Sequence, residues 1–471
     1  MFILRRLFVP LALAIALGAL CCAAAIAAKP SAGKGAKKSP PAAASTFSIG
    51  QPQATTVGAT GCGTNPDGEP AIHVSRADDV FLGSERGVGS GSDAWRALGG
   101  LGGPGASACG QAEYRGQPNA FGGVGASGGD IDVAIAPERN PSGNYNVYVA
   151  SLNLASINVA TSQDRGTTFS QVPVVLGVPV DDREWIAASG PSTSLLTYHD
   201  ITTNNIDVLR SDDGGATYVQ TTRAIPDTDY KAQSNELGNI VIDHRNAPAG
   251  GAPGDFYAYQ SFVAPQNAND SDFDEAFVAV SKDGGNTFTD QPIPCSYTKG
   301  KDLDHNFPNV SVAPDGSLWY AWSDDQNVKT AVSRDHGQSW SCSGNVATGL
   351  KRGIFPWLAA TSAGVDLVFY GTPDANGPEM TWFAQFAQNT SGTVGGWGAP
   401  TAITAVHKGD VCEGGISCTG GRQLLDDFGV DTDQSGWAHI AYSHDSPDLG
   451  GDGSYTGYAV QTGGTQVGFP N

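Results

Sequence analysis

Ser162-Gln163-Asp164-Arg165-Gly166-Thr167-Thr168-Phe169 is an eight-residue stretch that returns three more times along the chain. The copies are Ser211-Asp212-Asp213-Gly214-Gly215-Ala216-Thr217-Tyr218, Ser281-Lys282-Asp283-Gly284-Gly285-Asn286-Thr287-Phe288 and Ser333-Arg334-Asp335-His336-Gly337-Gln338-Ser339-Trp340. The common pattern is Ser, any residue, Asp, any residue, Gly, any residue, Thr or Ser, then an aromatic. An Asp so placed accepts hydrogen bonds from backbone N–H groups two or more residues on, Gly supplies a positive φ, and the hydroxyls tie the turn shut. The aromatic opens the next strand and packs inward, where its large apolar area stabilises most.

One Asp-Gly-Gly turn says little, but four copies spaced by 49, 70 and 52 residues mark a structural repeat. That length suits a four-stranded unit with variable loops. Three short strands precede each copy, as in DIDVAIAP, YNVYVASL and INVATS before Asp164. The same rhythm runs through 355–399 and 427–462 without the turn motif, and in worn form through EPAIHVS and VFLGSERG to Trp95, making seven units. Alternating strands, 63 Gly and no helical periodicity predict an all-β chain. The expected architecture is a seven-bladed β-propeller over residues 46–471, with six blades and an extension at 46–110 as the alternative. Either the TFSIG segment ending at Gly50 or the C-terminal GYAVQTGGTQVGF should close the ring by pairing with the other terminus.

Residues 1–28 combine a cationic start, an apolar run and small residues before Lys29, the pattern of a secretory signal. Residues 29–45 are Pro, Ala, Gly, Ser and Lys with no large apolar side chain, and read as a flexible linker. These 45 residues hold six basic and no acidic side chains, so 20 basic and 47 acidic residues remain beyond them, a net charge of −27. Such a surface repels nucleic acid and anionic membranes, which are excluded as main partners. Eight Cys fall to six after the leader, an even number in a secreted chain, and the expected pairs are Cys62–Cys109, Cys295–Cys342 and Cys412–Cys418. No Cys or His grouping predicts a metal centre. No cofactor is expected, although a structural cation such as calcium is compatible with the acidity, and a monomer is expected.

The four-fold turn motif resembles the Asp box (BNR repeat) of the sialidase superfamily. The resemblance implies boxes between third and fourth strands, on the face opposite the active centre, so Asp164, Asp213, Asp283 and Asp335 should be structural. Known sialidases have six blades, and their Phe/Tyr-Arg-Ile-Pro motif is absent here. The nearest string is Arg352-Gly353-Ile354-Phe355-Pro356.

Chemistry should gather where inner strands begin and second strands end. Asp130, Asp132, Glu236 and His199 are the candidate acid–base groups there, and the resemblance to sialidases, which use a Tyr nucleophile, adds Tyr370 and Tyr442. Arg183, Arg352 and Arg422 stand before inner strands of different units. A guanidinium fork matches a carboxylate, and the resemblance implies three of them around an acidic sugar. Trp185, His305 and Asp427 complete the candidate binding set. The expected function is a secreted glycoside hydrolase acting on an extracellular, acidic carbohydrate. A polysaccharide lyase using His199 or His444, and a propeller that binds glycan or protein without turnover, are the alternatives.

Overall fold

The computed structural model describes residues 44–471 except 88, 101, 121–128, 154–155, 174–180, 305–306, 427, 446–448 and 450. The expected leader and nearly all of the linker lie outside the described residues, as do His305 and Asp427. Seven four-stranded antiparallel sheets form seven blades, six of them with their strands in sequence order from the inside outward and the seventh completed on its outer edge by the first strand of the chain. The inner strands are Gly68–Val74, Ile131–Arg139, Asp181–Ser189, Glu236–Ile242, Asn309–Val312, Arg352–Ala360 and Gly429–Thr432, defining blades 1 to 7. The segment beyond residue 46 is therefore no extension. Thr46–Gly50 is the outermost strand of blade 7, pairing Phe47 with Gln461 and Ile49 with Ala459, and it ties the chain's two ends into one sheet.

Seven apolar clusters hold the ring together, one at each junction between neighbouring blades. Trp95, Trp322, Trp382, Tyr148, Tyr259 and Phe262 are fully enclosed there, and burying each contributes about 1.5–3 kcal/mol. The inner strands splay around the axis, so their backbones cannot all pair with one another. Polar side chains bridge them instead. Asp132 accepts from Ile186 N at 2.8 Å, Asn239 from Val310 N at 2.8 Å, Asn309 from Leu358 N at 2.8 Å and Asp431 from Val74 N at 2.8 Å. Each such acceptor satisfies a buried N–H that would otherwise go unpaired.

The four repeated turns all join a third strand to a fourth. In the blade 4 copy, Asp283 Oδ1 accepts from Asn286 N (3.2 Å), Thr287 N (2.9 Å) and Ser281 Oγ (2.8 Å), while Oδ2 accepts from Thr287 Oγ1 (2.6 Å). The following Gly285 has φ +86°, and a Cβ there would strike Leu195 of blade 3 at 2.8 Å. Glycine is thus required twice over, for the left-handed backbone and for the close approach of the next blade. Phe288 then turns into the cluster between blades 3 and 4. The three expected disulfides are all present.

Candidate functional site

The chain enters three inner strands through the same irregularity. The pairing register slips between Gly68 and Ala71, between Asp182 and Glu184, and between Ile354 and Trp357. In each slip one non-glycine residue takes a left-handed backbone: Glu69 (φ 47°), Arg183 (φ 48°) and Phe355 (φ 51°). Such bulges re-aim a side chain, and strain of this kind collects at functional sites.

At this end of the axis the Arg183 guanidinium lies 3.0 Å from Asp130 Oδ1 and 3.4 Å from Glu69 Oε2. The backbone N–H of Arg183 also donates to Asp130 Oδ2 at 3.2 Å. Trp185 and Phe307 pack under the guanidinium, 4.9 and 4.5 Å from its carbon. Glu69 is held on its other side by Asp426 N at 2.9 Å, with Arg422 3.9 Å away and itself paired to Asp426. Glu85, at the end of blade 1's second strand, completes the group. One carboxylate oxygen each from Glu69, Glu85 and Asp130 lies within 4.8 Å of the other two. Three oxygens so close resemble a hard-cation site. Arg183, in contact with two of these carboxylates, already supplies the positive charge.

Crowding and enclosure change the acidity of these groups. Burial, then Asp130, pushes the Glu85 carboxyl up to about 8, against an opposing pull from Arg183 and Arg422. Partial loss of water, then the Asp130 charge, likewise bring Asp182, whose side chain still reaches solvent, to about 6. Glu69, Glu236 and Glu184 rise well above the ordinary carboxyl range, burial being the largest cause for each. Glu236 joins the group electrostatically through Asp182, Asp304 and Arg183. Removing a carboxylate from water disfavours its charged form unless enough donors face it, and among the described residues two arginines face these many acids.

The other expected residues are placed elsewhere. Asp132 clasps blade 3 through Ile186 N and is a structural bridge between inner strands. Tyr370 is sealed between blades 6 and 7, stacked on Phe428 at 4.1 Å, its hydroxyl accepting from Ser443 N at 2.8 Å. Tyr442 is buried in the same cluster, beside His444. His199 is paired in register with Asp182, and burial lowers its pKa. Trp185 supports Arg183 from the core, its ring tilted against that of Trp357 with centroids 5.1 Å apart.

The three arginines do not share one set of partners. Arg183 and Arg422 meet at Glu69, whereas Arg352 pairs with Asp410 and Glu413 and lies over Trp382, toward the outer strands of its own blade. The reason is register. Trp185 and Trp357 are counterparts, each two residues past a left-handed residue, so blade 6's counterpart of Arg183 is Phe355, and Arg352 stands three positions too early. Glu85 and Glu184 escaped the sequence reading. For Glu85 the signal was there, since VFLGSE ends a second strand, the position that supplied candidates in other units.

No protein-family model matches this chain, and no curated protein matches it. Among solved structures it is similar to an α-L-arabinofuranosidase of Fusarium graminearum, at 10% identity over 89% of this chain and 98% of that one, with a TM-score of 0.44. A xyloglucanase of Xanthomonas campestris gives 13% identity over 87% of this chain and 55% of that one, with a TM-score of 0.45. The endosialidase of phage phi92 gives 9% identity over 89% and 70%, with a TM-score of 0.44.

Proposed function

We propose that this chain is a secreted, sialidase-like Asp-box propeller that hydrolyses glycosidic bonds of extracellular glycans at the axial carboxyl group. The observation that carries this reading is the pairing of Glu85 with Asp130. Two carboxyl groups lie close together in unlike environments, one kept protonated by burial up to about pH 8 and one gripped by an arginine. That is the division of labour between a general acid and its partner carboxylate. Glu85 would protonate the leaving glycosidic oxygen, and Asp130 would face the anomeric carbon. Their oxygens lie within 4.8 Å, nearer the spacing of about 5–5.5 Å used with a covalent intermediate than the ~6.5–9.5 Å that admits a water. A carboxylate nucleophile also fits the sealed position of Tyr370 better than a tyrosine would.

The charge balance favours a neutral sugar over an acidic one. Arg183 and Arg422 are both committed to Asp130, Glu69 and Asp426, so neither presents an open fork to a uronate, as the lyase alternative requires. Three disulfides and the leader-like N-terminus support an oxidising, extracellular setting.

The deciding experiment is reducing-sugar release by the full chain from a panel of neutral and acidic polysaccharides. Release without an ultraviolet-absorbing unsaturated product is expected, with neutral glycans cleaved faster. An absorbing product, or no release from any member of the panel, rejects the reading.

A further inference from the structure

Between the outermost strand of blade 6, Thr401–Lys408, and the inner strand of blade 7, the chain makes an excursion that reaches the axial carboxyl group. Its neck is closed by the Cys412–Cys418 disulfide and by Cys412 N, which donates to Gly421 O at 2.9 Å. Beyond the neck, residues 422–426 fold into one tight turn, Leu425 N donating to Arg422 O at 3.0 Å. Leu425 is left-handed there, with φ 56°. A bulky side chain adopts that backbone only where its surroundings impose it.

Those surroundings belong to three blades. A Cβ on Gly68, in blade 1, would strike both Leu425 Cδ1 and Ser454 Oγ, so only glycine lets the turn lie this close. Ser454 Oγ also donates to Gln423 O at 2.9 Å, and Leu424 is sealed in the cluster between blades 6 and 7. Gly68 is the residue before Glu69, whose own backbone is left-handed. Two strained residues from opposite ends of the chain, Leu425 and Glu69, thus meet across one glycine. What the turn delivers is the N–H of Asp426, which donates to Glu69 Oε1 at 2.9 Å, with Arg422 held alongside by its pair with Asp426.

We propose that Leu425 is a positioning residue, a role that rests on the hydrolase reading for its kinetic consequence: wedged against Gly68, it holds the turn that keeps Asp426 N on Glu69, and Glu69 in turn steadies the Arg183 guanidinium beside Asp130. Leu425 carries no reactive group and acts only through this chain of contacts. Glu69 needs such a prop, since a left-handed backbone relaxes unless its neighbours forbid it. Reacting groups must be held to about 0.5 Å, and a misplacement of about 1 Å costs roughly 10²-fold in rate.

The test is steady-state kinetics of sugar release, thermal unfolding, and carbodiimide labelling of carboxyl groups mapped by peptide mass spectrometry, on the full chain as parent, Leu425→Gly and Leu425→Met. In the parent Glu69 is 2% exposed and should stay unlabelled. Leu425→Gly removes the wedge yet suits the left-handed backbone. Its melting temperature should hold, Glu69 should become labelled, and kcat should fall roughly ten-fold to a hundred-fold with KM little changed. Leu425→Met keeps an apolar side chain of similar reach and should restore parental labelling and kcat. Unlabelled Glu69 or parental kcat in Leu425→Gly, a collapse of its melting temperature, or failure of Leu425→Met to restore them would each overturn the proposal. Absence of turnover in the parent itself would sink the hydrolase reading instead, and the labelling contrast between the two variants would still decide whether Leu425 holds Glu69.

Discussion

The carboxylates of the repeated turns and those at the axis are the same chemical group with opposite fates. Partial burial pushes Asp283 up, but hydrogen bonds from Thr287, Ser281 and Asn286 more than reverse this, and its carboxyl is held below the ordinary range. Asp164 and Asp335 follow the same balance, and in Asp213 the Thr217 hydroxyl is itself the largest influence. At the axis, burial dominates because the donors are few. Glu85 and Glu69 share two arginines with Asp130 and Asp426, and their carboxyls rise. A carboxylate surrounded by donors holds a turn; one starved of them holds a proton.

Substitutions at the two places should therefore fail in different ways. The largest effect is expected for Glu85→Gln, which removes the proposed acid. Turnover should fall by roughly 10²–10⁴-fold, while the melting temperature holds or rises because a buried carboxyl is gone. Kinetics of sugar release alongside a thermal melt measure both, and a loss of fold with retained specific activity would break the contrast.

Asp283→Ala should do the reverse. It strips the turn of charge-assisted hydrogen bonds worth about 1.5–3 kcal/mol, which a urea midpoint reads, and it leaves the catalytic rate of the folded protein unchanged.

The pH dependence of stability sharpens the comparison. Burial raises Glu85 and Asp366 to about 8, and burial with Asp93 raises Asp67 to about 9. A group with a raised folded pKa contributes stability that is full below its unfolded value, near 4, and is lost as pH climbs through the folded value. The turn aspartates, with lowered values, contribute above about pH 4 and lose that contribution as pH falls further. Denaturant unfolding should accordingly show greater stability near pH 5 than near pH 8.5, with a decline below about 4. Activity should fall as pH passes through about 8, where Glu85 gives up its proton.

The smallest effect is expected for Arg352→Ala. Its pair with Asp410, 75% exposed, contributes about 0–1 kcal/mol, but Glu413 is only 12% exposed and would lose its guanidinium, so the melting temperature should fall slightly while turnover stays near the parent's. A large loss of turnover would restore Arg352 to the site and undo the register argument that places Phe355 there.

Blade number and turn position were legible in the chain because each rests on local chemistry repeated at intervals. The Ser-x-Asp-x-Gly turn closes on itself within eight residues, and strand alternation needs only neighbours in sequence. Even the mouth of the site could be read in outline, since Asp130, Arg183, Glu236 and Arg422 were all found by their place before inner strands. What linear position could not reveal was the direction each side chain takes. A slip of register at Asp182 swings Arg183 toward the axis, while the same slip in blade 6 falls on Phe355 and leaves Arg352 facing outward. Asp132 looked like an acid from its neighbours, yet an N–H from the next blade claims it. By itself the sequence determined the repeat and so the ring. Only the folded ring decided which carboxyls lose water and which gain donors, because desolvation and ion pairing depend on neighbours hundreds of residues away, such as Glu69 beside Asp426.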